Sequence, residues 1–282
     1  MRFGAHLSTA GGLHHAARNG AALGFDSLQI FTKSPSQWRA APLREDALTT
    51  WREALTAAGL YPVIVHDAYL INLAAPDPTV LMRSRAAFAE ELRRAEAVGA
   101  QYLVTHLGAH LGTGEAAGLQ RLMESLRQLL NQTSDLRVQI ALETTAGQGT
   151  ALGWRFEHLG EVLAGLDWPA RVVVCLDTCH VFAAGYELRT PEGYAATMEA
   201  LAAQVGLDRV TVIHANDSKK PLGSRVDRHA HVGQGEIGDA GFVNLLTDPR
   251  WRETAVIVET PESETMHAVN VQRLRELAAT AR

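Results

Sequence analysis

The chain has 282 residues, of which 46% are hydrophobic and 20% are charged, so it can bury a full core as one barrel or two small domains. Its formal net charge of −5 argues against a generally basic protein that coats nucleic acid. No signal-peptide pattern begins the chain, no apolar run approaches the roughly 18–20 residues of a membrane span, and Cys175 and Cys179 are too close for a disulfide framework. We therefore expect a cytoplasmic protein with no membrane partner.

Short apolar runs that predict β-strands alternate along the chain with Ala-, Leu-, Glu- and Arg-rich stretches of helical spacing. The predicted strands are residues 3–7, 27–32, 63–66, 102–106, 139–143, 172–177, 210–214 and 255–259. The predicted helices are residues 12–23, 45–58, 78–98, 115–130, 156–166, 191–205, 239–246 and 263–281, and Gly24, Gly59, Gly99 and Gly206 stand where four of them should end. The strands are continuous Val, Ile and Leu runs, as burial on both faces requires. Eight strand–helix repeats without a linker predict one α/β domain over residues 1–282, a (β/α)8 TIM barrel.

Six of the predicted strands end in, or within three residues of, a side chain that binds metals in proteins. With a later Asp-x-His pair, these side chains are His66, His106, Glu143, Asp177, His180, His214, Asp227, His229 and Glu259. A barrel brings the carboxyl ends of its strands together, and four carboxylates and five imidazoles crowded there would be costly without compensation. Nine ligands, one of them bridging, suffice for three divalent ions, and mixed His and carboxylate ligation fits zinc best, with manganese or iron as alternatives. The sequence thus predicts a multinuclear metal site with hydrolytic or isomerase chemistry.

Positive charge is concentrated near the same ends of the strands. The only lysines are Lys33, Lys219 and Lys220, each just past an apolar strand, and three arginines share their two loops. A cationic rim on an acidic protein suits a phosphate-bearing partner, although such a rim is also common on a solvated loop.

Several segments resemble the signature motifs of the endonuclease IV family, which are apurinic/apyrimidinic DNA endonucleases of base-excision repair. They are HDAYLINLA at 66–74, LETTAGQG at 142–149, CLDTCH at 175–180, HANDSK at 214–219 and GSRVDRH at 223–229. The similarity runs from Gly4-Ala5-His6 to Glu259-Thr260, with all nine expected ligand positions filled.

The resemblance implies three zinc ions per chain, with manganese as an alternative at one site. His66 and His106 would hold the first ion, and Glu143 would bridge it to a second ion that also binds Asp177, His214 and Glu259. His180, Asp227 and His229 would hold the third. The implied reaction is hydrolysis of the phosphodiester 5′ to an abasic site in duplex DNA by a metal-activated hydroxide, which leaves a 3′-hydroxyl and a 5′-deoxyribose phosphate. Glu143, Glu259 and His180 are the predicted catalytic residues within this set.

The resemblance also implies the residues that contact double-stranded DNA. Tyr69 and Leu70 would enter the minor groove, Gln37 would help fill the gap left by the missing base, and Lys33 and Arg228 would add contacts. Ser36 departs from the family, in which many relatives have Arg at this position to occupy the emptied stack, so lesion recognition should be weaker or lean on neighbouring side chains. We expect the enzyme to act as a monomer.

Two other functions fit parts of the pattern. A sugar isomerase or epimerase of the xylose-isomerase-like barrels also has Glu, Asp and His ligands at strand ends, but it has no use for His66, for the pair Asp227 and His229, or for a Tyr69-Leu70 wedge. A non-enzymatic metal-dependent DNA-binding or scaffolding protein would have no need of all nine ligands. Of the other histidines, His6 on the first strand is a candidate to support the metal ligands.

Overall fold

Eight parallel strands close into a barrel in the computed structural model, which describes residues 1–280. The barrel strands are β1 (Arg2–His6), β2 (Ser27–Ile30), β3 (Val63–His66), β4 (Tyr102–His106), β5 (Gln139–Glu143), β6 (Val172–Asp177), β7 (Val210–His214) and, last in the chain, β10 (Ala255–Val258). Between β7 and β10, a short antiparallel hairpin is formed by β8 (Asp217–Ser218) and β9 (His229–Ala230). Because β1 pairs with both β2 and β10, the sheet has no open edge, and the predicted TIM barrel is confirmed.

The helices of the outer layer begin and end where local sequence signals stand. They are α1 (Leu13–Ala22), α2 (Glu45–Ala58), α3 (Pro78–Ala97), α4 (Glu115–Gln132), α5 (Phe156–Gly165), α6 (Thr178–Ala184), α7 (Pro191–Val205), α8 (Gly238–Thr247) and α9 (Ser263–Ala279). At the start of α3, the Asp77 carboxylate accepts from the backbone N–H groups of Thr79 and Val80. At the end of α2, Gly59 has a φ of 65°, which residues with a side chain rarely adopt. None of the helices within residues 1–280 is both long and apolar enough to cross a membrane.

The register of the strands brings the predicted ligands to one level of the barrel. A small interior cluster that includes Ile64, Val104 and Val212 fills the middle of the barrel. Above it, His106 lies beside Glu143 across β4 and β5, and Asp177 lies beside His214 across β6 and β7. The apolar interior of the barrel therefore forms the floor of the candidate site, and the polar residues at the carboxyl ends of the strands form the site itself.

Two elements next to the site are absent from the sequence prediction. The helix α6 and the hairpin β8–β9 were not predicted, because both are too short to have a periodic pattern of their own. The side chain of Asp177, the last residue of β6, accepts from the N–H of His180, so the chain turns directly from strand into α6. The predicted last helix ends at residue 281, which lies outside the described residues.

Candidate metal centre

All nine predicted ligands lie at the carboxyl end of the barrel. Five are the last residues of consecutive strands, β3 to β7, and one follows β10. Of the other three, His180 lies on α6, Asp227 lies just before β9 and His229 begins β9. Asp177 and His214 are fully buried, and the side chain of Glu143 is 1% exposed. The side chains of His106 and Asp227 are the most open, at 41% and 42%. The set therefore extends from the barrel interior to its mouth.

Within residues 1–280, two groups of side chains whose possible ligand atoms lie within 4.8 Å of one another include a cysteine: Cys175 with Glu143 and His214, and Cys179 with Asp177 and His229. Three further groups consist only of the nine predicted ligands. These three are His66, His106 and Glu143; Glu143, Asp177, His214 and Glu259; and His180, Asp227 and His229. They are the same three sets that the family resemblance implies.

Glu143 belongs to two groups because its two carboxylate oxygens face different histidines. Its Oε2 lies 3.3 Å from His66 Nε2 and 3.0 Å from His106 Nε2. Its Oε1 lies 2.9 Å from His214 Nδ1. A carboxylate with one oxygen in each of two ligand sets has the geometry of a bridge between two ions.

The second group is held by a buried amide. Asn216 Nδ2 donates to Asp177 Oδ2 over 2.7 Å, and Asn216 Oδ1 accepts from the backbone N–H of Glu259, also over 2.7 Å. Glu259 Oε2 lies 3.2 Å from His214 Nδ1. Asn216 thus fixes one ligand on β6 relative to another after β10.

The third group stands nearest the mouth of the barrel, on a loop that other loops hold in place. The two oxygens of Asp227 lie 3.2 Å from His180 Nε2 and 3.2 Å from His229 Nε2. The backbone N–H of Asp227 donates to Gln148 Oε1 over 3.1 Å. Beside it, the Arg225 guanidinium lies 3.7 Å from the centre of the Trp154 ring. These contacts join the loop after β7 to the loop after β5.

Hydrogen bonds to the backbone determine which ring nitrogen two of the histidines offer. The Nδ1 atoms of His66 and His180 lie 2.9 Å and 2.8 Å from the carbonyl oxygens of Asp67 and Thr144. A carbonyl oxygen only accepts, so each Nδ1 carries a hydrogen, and in its neutral form each ring presents the lone pair of Nε2 to its group. Orientation of a ligand histidine through its other nitrogen is typical of metal sites.

Two observations test whether these side chains fit divalent ions. Ligand atoms at zinc–nitrogen distances of about 2.0–2.1 Å around a tetrahedral ion lie about 3.3 Å apart, and most of the ligand separations above are 2.9–3.3 Å. His229 Nε2 is buried and makes no hydrogen bond to any residue in 1–280, although an Asp227 oxygen is 3.2 Å away. A buried nitrogen that is close to a carboxylate but misaligned with it is arranged to share a cation. The residues present fit metal ions.

The charges of the ligands support the same conclusion. Burial opposes ionisation of Glu143, but the adjacent imidazoles of His214 and His106 outweigh it and hold the pKa of Glu143 well below its usual range. Burial likewise lowers the pKa of His66, but Glu143 outweighs burial and raises it to about 10. The carboxylates therefore require positive charge beside them, which protons supply when no metal is bound and divalent cations supply otherwise. Burial also raises the pKa of the nearby Cys175 thiol to about 12, so without a metal this thiol stays protonated at neutral pH.

A cavity of about 540 Å³ opens directly above the three groups. Tyr69 lines it and also lines a neighbouring cavity of about 270 Å³, so this side chain forms a wall between the two. Tyr69 is 70% exposed and Leu70 is half-buried beside it. Of the other predicted DNA contacts, Gln37 and Arg228 are exposed, and Ser36 is exposed next to Gln37. All of them stand at the end of the barrel that carries the ligands.

Lys33 is the remaining predicted DNA contact. It is buried, whereas a residue of a cationic rim is expected to be exposed. Its side chain is 1% exposed, and its ammonium lies 3.4 Å from the Glu91 carboxylate of α3 and donates to the Trp38 carbonyl. Glu91 also accepts from Thr32 Oγ1 over 3.1 Å. The ammonium therefore anchors the loop after β2 onto α3, and it reaches a DNA phosphate only if this buried pair opens.

Apart from His6, whose Nδ1 lies 3.6 Å from Glu259 Oε1, the sequence analysis did not single out the polar side chains that surround the predicted ligands. Gln29 and Asn216 are fully buried, and each contacts two ligand residues. A signal was present for Gln29, because a glutamine inside an apolar strand requires a buried partner. The partners lie far away along the chain, so the sequence did not identify them.

Comparisons with known proteins agree with the geometry. A family model described as a xylose isomerase-like TIM barrel matches residues 17–277. A protein of Chloroflexus aurantiacus named "Probable endonuclease 4" is 49% identical over 282 residues, which cover 99% of each chain. The crystal structure of endonuclease IV from Thermus thermophilus matches with a TM-score of 0.89 and 37% identity over the whole of both chains. A D-tagatose 3-epimerase-like protein matches with a TM-score of 0.78 but only 19% identity, which shows the fold alone.

Proposed function

The chain belongs to the endonuclease IV family of xylose isomerase-like TIM barrels, and on that premise we propose that it hydrolyses the phosphodiester 5′ to an abasic site in duplex DNA. The products would be a 3′-hydroxyl and a 5′-deoxyribose phosphate, and the enzyme would act as a monomer. The observation that carries the proposal is the convergence of nine side chains into three ligand groups below one open cavity.

We propose that the three groups hold three zinc ions. The donor set supports zinc because it combines imidazole nitrogens with carboxylate oxygens at tetrahedral spacing. When bound, such ions supply Lewis-acid chemistry, lowering the pKa of a water and stabilising negative charge on phosphate oxygens. No lysine side chain lines the cavity except that of Lys33 within the described residues, and its ammonium is paired with Glu91. This arrangement favours hydrolysis over a lyase reaction through a lysine Schiff base.

The residues of the chain provide the rest of the machinery. Glu143 holds the first two groups at a fixed separation, because its carboxylate spans them. The loop that carries Asp227 places the third group against the lining of the cavity, where it can face a leaving oxygen. Tyr69 lines the cavity and is largely exposed, and the half-buried Leu70 follows it in the chain. An exposed aromatic side chain next to an apolar one suits insertion into the minor groove of DNA. Unstacking the duplex in this way costs least free energy where a base is already missing.

A sugar isomerase is the alternative with the same fold. The third group separates the two functions, because His180, Asp227 and His229 form a ligand set at the mouth of the barrel that a mononuclear isomerase site has no use for. The epimerase-like relatives are similar in fold alone.

The proposal is tested with a labelled duplex that contains one abasic site, compared with the same duplex without it. We expect incision only of the abasic strand, at the phosphodiester 5′ to the lesion, with a product that a DNA polymerase extends from its 3′-hydroxyl. Prolonged stripping with a strong chelator should abolish incision, and added zinc should restore it. A 3′ unsaturated aldehyde, or activity that survives complete removal of metal, would contradict the hydrolytic mechanism.

A further inference from the structure

Gln29 is a polar side chain on a strand of the barrel, and it belongs to none of the three ligand groups. It lies on β2 and is fully buried. In the sheet register it pairs with His6 on one side and with Ile64 on the other, and Ile64 belongs to the cluster inside the barrel. Because residues in register on parallel strands face the same way, Gln29 points into the barrel, beneath the metal centre.

The amide of Gln29 contacts two predicted metal ligands at once. Its Nε2 lies 2.6 Å from Glu259 Oε1 and 3.0 Å from His6 Nδ1. Its Oε1 lies 2.8 Å from His214 Nε2. The carboxylate of Glu259 only accepts, so the amide nitrogen must face it, and this fixes which end of the amide faces His214.

The orientation of the amide determines the tautomer of His214. The Gln29 oxygen can only accept, so His214 Nε2 must carry a hydrogen and donate it. The neutral ring then presents the lone pair of Nδ1, which is the nitrogen that lies 2.9 Å from Glu143 Oε1 and 3.2 Å from Glu259 Oε2. This arrangement is the reverse of His66 and His180, which donate from Nδ1 and face their groups with Nε2.

We propose that Gln29 is a positioning residue for the second metal site: it holds His214 as the tautomer that binds through Nδ1 and fixes the carboxylate of Glu259 at the same time. The inference rests on the proposed function, because it takes these two side chains to be metal ligands. Residues that orient ligands in this way typically contribute about 10–100-fold to metal affinity.

The test compares zinc retention by the purified full-length protein and by the Gln29→Leu variant. Each is dialysed against EDTA at rising concentration, and the zinc that remains is counted per chain. We expect Gln29→Leu to release one ion at about a 10–100-fold lower chelator concentration than the unchanged protein. The matched control is Gln139→Leu, since Gln139 begins β5 at the opposite end of the barrel and its amide donates to the Ala170 carbonyl. The control should retain zinc like the unchanged protein.

A second measurement needs no variant. Nitrogen-15 NMR of zinc-loaded, histidine-labelled protein should show His214 bound through Nδ1 with its hydrogen on Nε2, and His66 and His180 the other way round. If His214 carried its hydrogen on Nδ1, the inference would be wrong even where Gln29→Leu does not fold. If the unchanged protein keeps zinc and Gln29→Leu keeps it equally well, only this inference fails. A protein that binds no zinc would overturn the proposed function together with this role of Gln29.

Discussion

Replacing His229 by alanine tests the third ligand group. The substitution reduces that group from three side chains to two, His180 and Asp227, and two protein ligands fall short of the three or four that zinc takes. The other two groups lose nothing, because they do not include His229. We therefore expect the metal content to fall from three ions per chain towards two.

The structure also gives the size of the effects. His229 lies outside the apolar clusters of the core, and its Nδ1 lies only 3.3 Å from the Glu259 carbonyl, so His229→Ala should stay folded, although metal-loaded protein should lose the stabilisation that the third ion gives. Removing one electrostatic partner of a developing oxyanion typically costs on the order of 10²–10³ in rate. His229→Ala should thus be folded and nearly inactive.

The assay is single-turnover incision of an abasic duplex at saturating enzyme, with metal analysis and thermal unfolding of the same preparation. His231→Ala is the matched control, because His231 lies two residues along the chain, belongs to none of the three groups and contacts Asn270 instead. Near-normal incision by His229→Ala, or three ions retained in it, would refute the assignment of the third group.

Three further predictions concern the DNA surface, the buried ion pair and pH. Tyr69→Ala combined with Leu70→Ala should weaken binding to abasic duplex far more than it slows single-turnover incision, because Tyr69 lines the cavity, Leu70 follows it in the chain, and neither belongs to a ligand group. Glu91→Ala should lower the free energy of unfolding in urea by about 3–5 kcal/mol, because it leaves the Lys33 ammonium buried without its partner. Glu187, whose pKa the hydrogen bond from the Arg189 guanidinium lowers to about 2, should contribute to stability above its unfolded pKa of 4.5 and lose that contribution as pH falls towards 2. Solvent screening limits this contribution to about 1 kcal/mol or less, measured as the difference from Glu187→Gln at pH 7 and at pH 3.

The first two of these predictions have matched control variants. Met82→Ala removes an apolar side chain that is 68% exposed on α3, away from the cavity, and should leave DNA binding unchanged. The control for Glu91→Ala is Glu90→Gln. The Glu90 side chain is 39% exposed and lies 4.0 Å from Arg94, so this change should lower the free energy of unfolding by less than about 1 kcal/mol. A double variant, Lys33→Met with Glu91→Leu, should recover most of the lost stability. Loss of DNA affinity in that stable double variant would then support the predicted contact of Lys33 with DNA. A stability difference for Glu187→Gln that grew on acidification would contradict its assignment.

The barrel was predictable because its signals are local. Continuous apolar runs marked each strand, and a glycine with positive φ follows each of the four helices for which one was expected. The helix α6 was not predictable in this way, because its seven residues follow β6 without a break and its cap is the strand's own last residue, Asp177. The hairpin β8–β9 depends on pairing between residues about a dozen positions apart, for which the sequence has no periodic pattern.

The convergence of the nine predicted ligands could be foreseen for a different reason from the contacts of the side chains around them. Each ligand stands at or near the end of an apolar run, so the geometry of a barrel brings them together without further information. The burial of Lys33 depends on Glu91, 58 residues away on α3, and the role of Gln29 depends on side chains of β7 and the segment after β10. Contacts of this kind depend on how distant elements pack, which a single sequence does not reveal.

Diffraction from zinc-loaded crystals, recorded above and below the zinc absorption edge, tests the central claim most directly. We predict three anomalous peaks in each chain: one between His66, His106 and Glu143, one among Asp177, His214, Glu143 and Glu259, and one among His180, Asp227 and His229. A single peak, or peaks away from these three groups, would contradict the trinuclear centre.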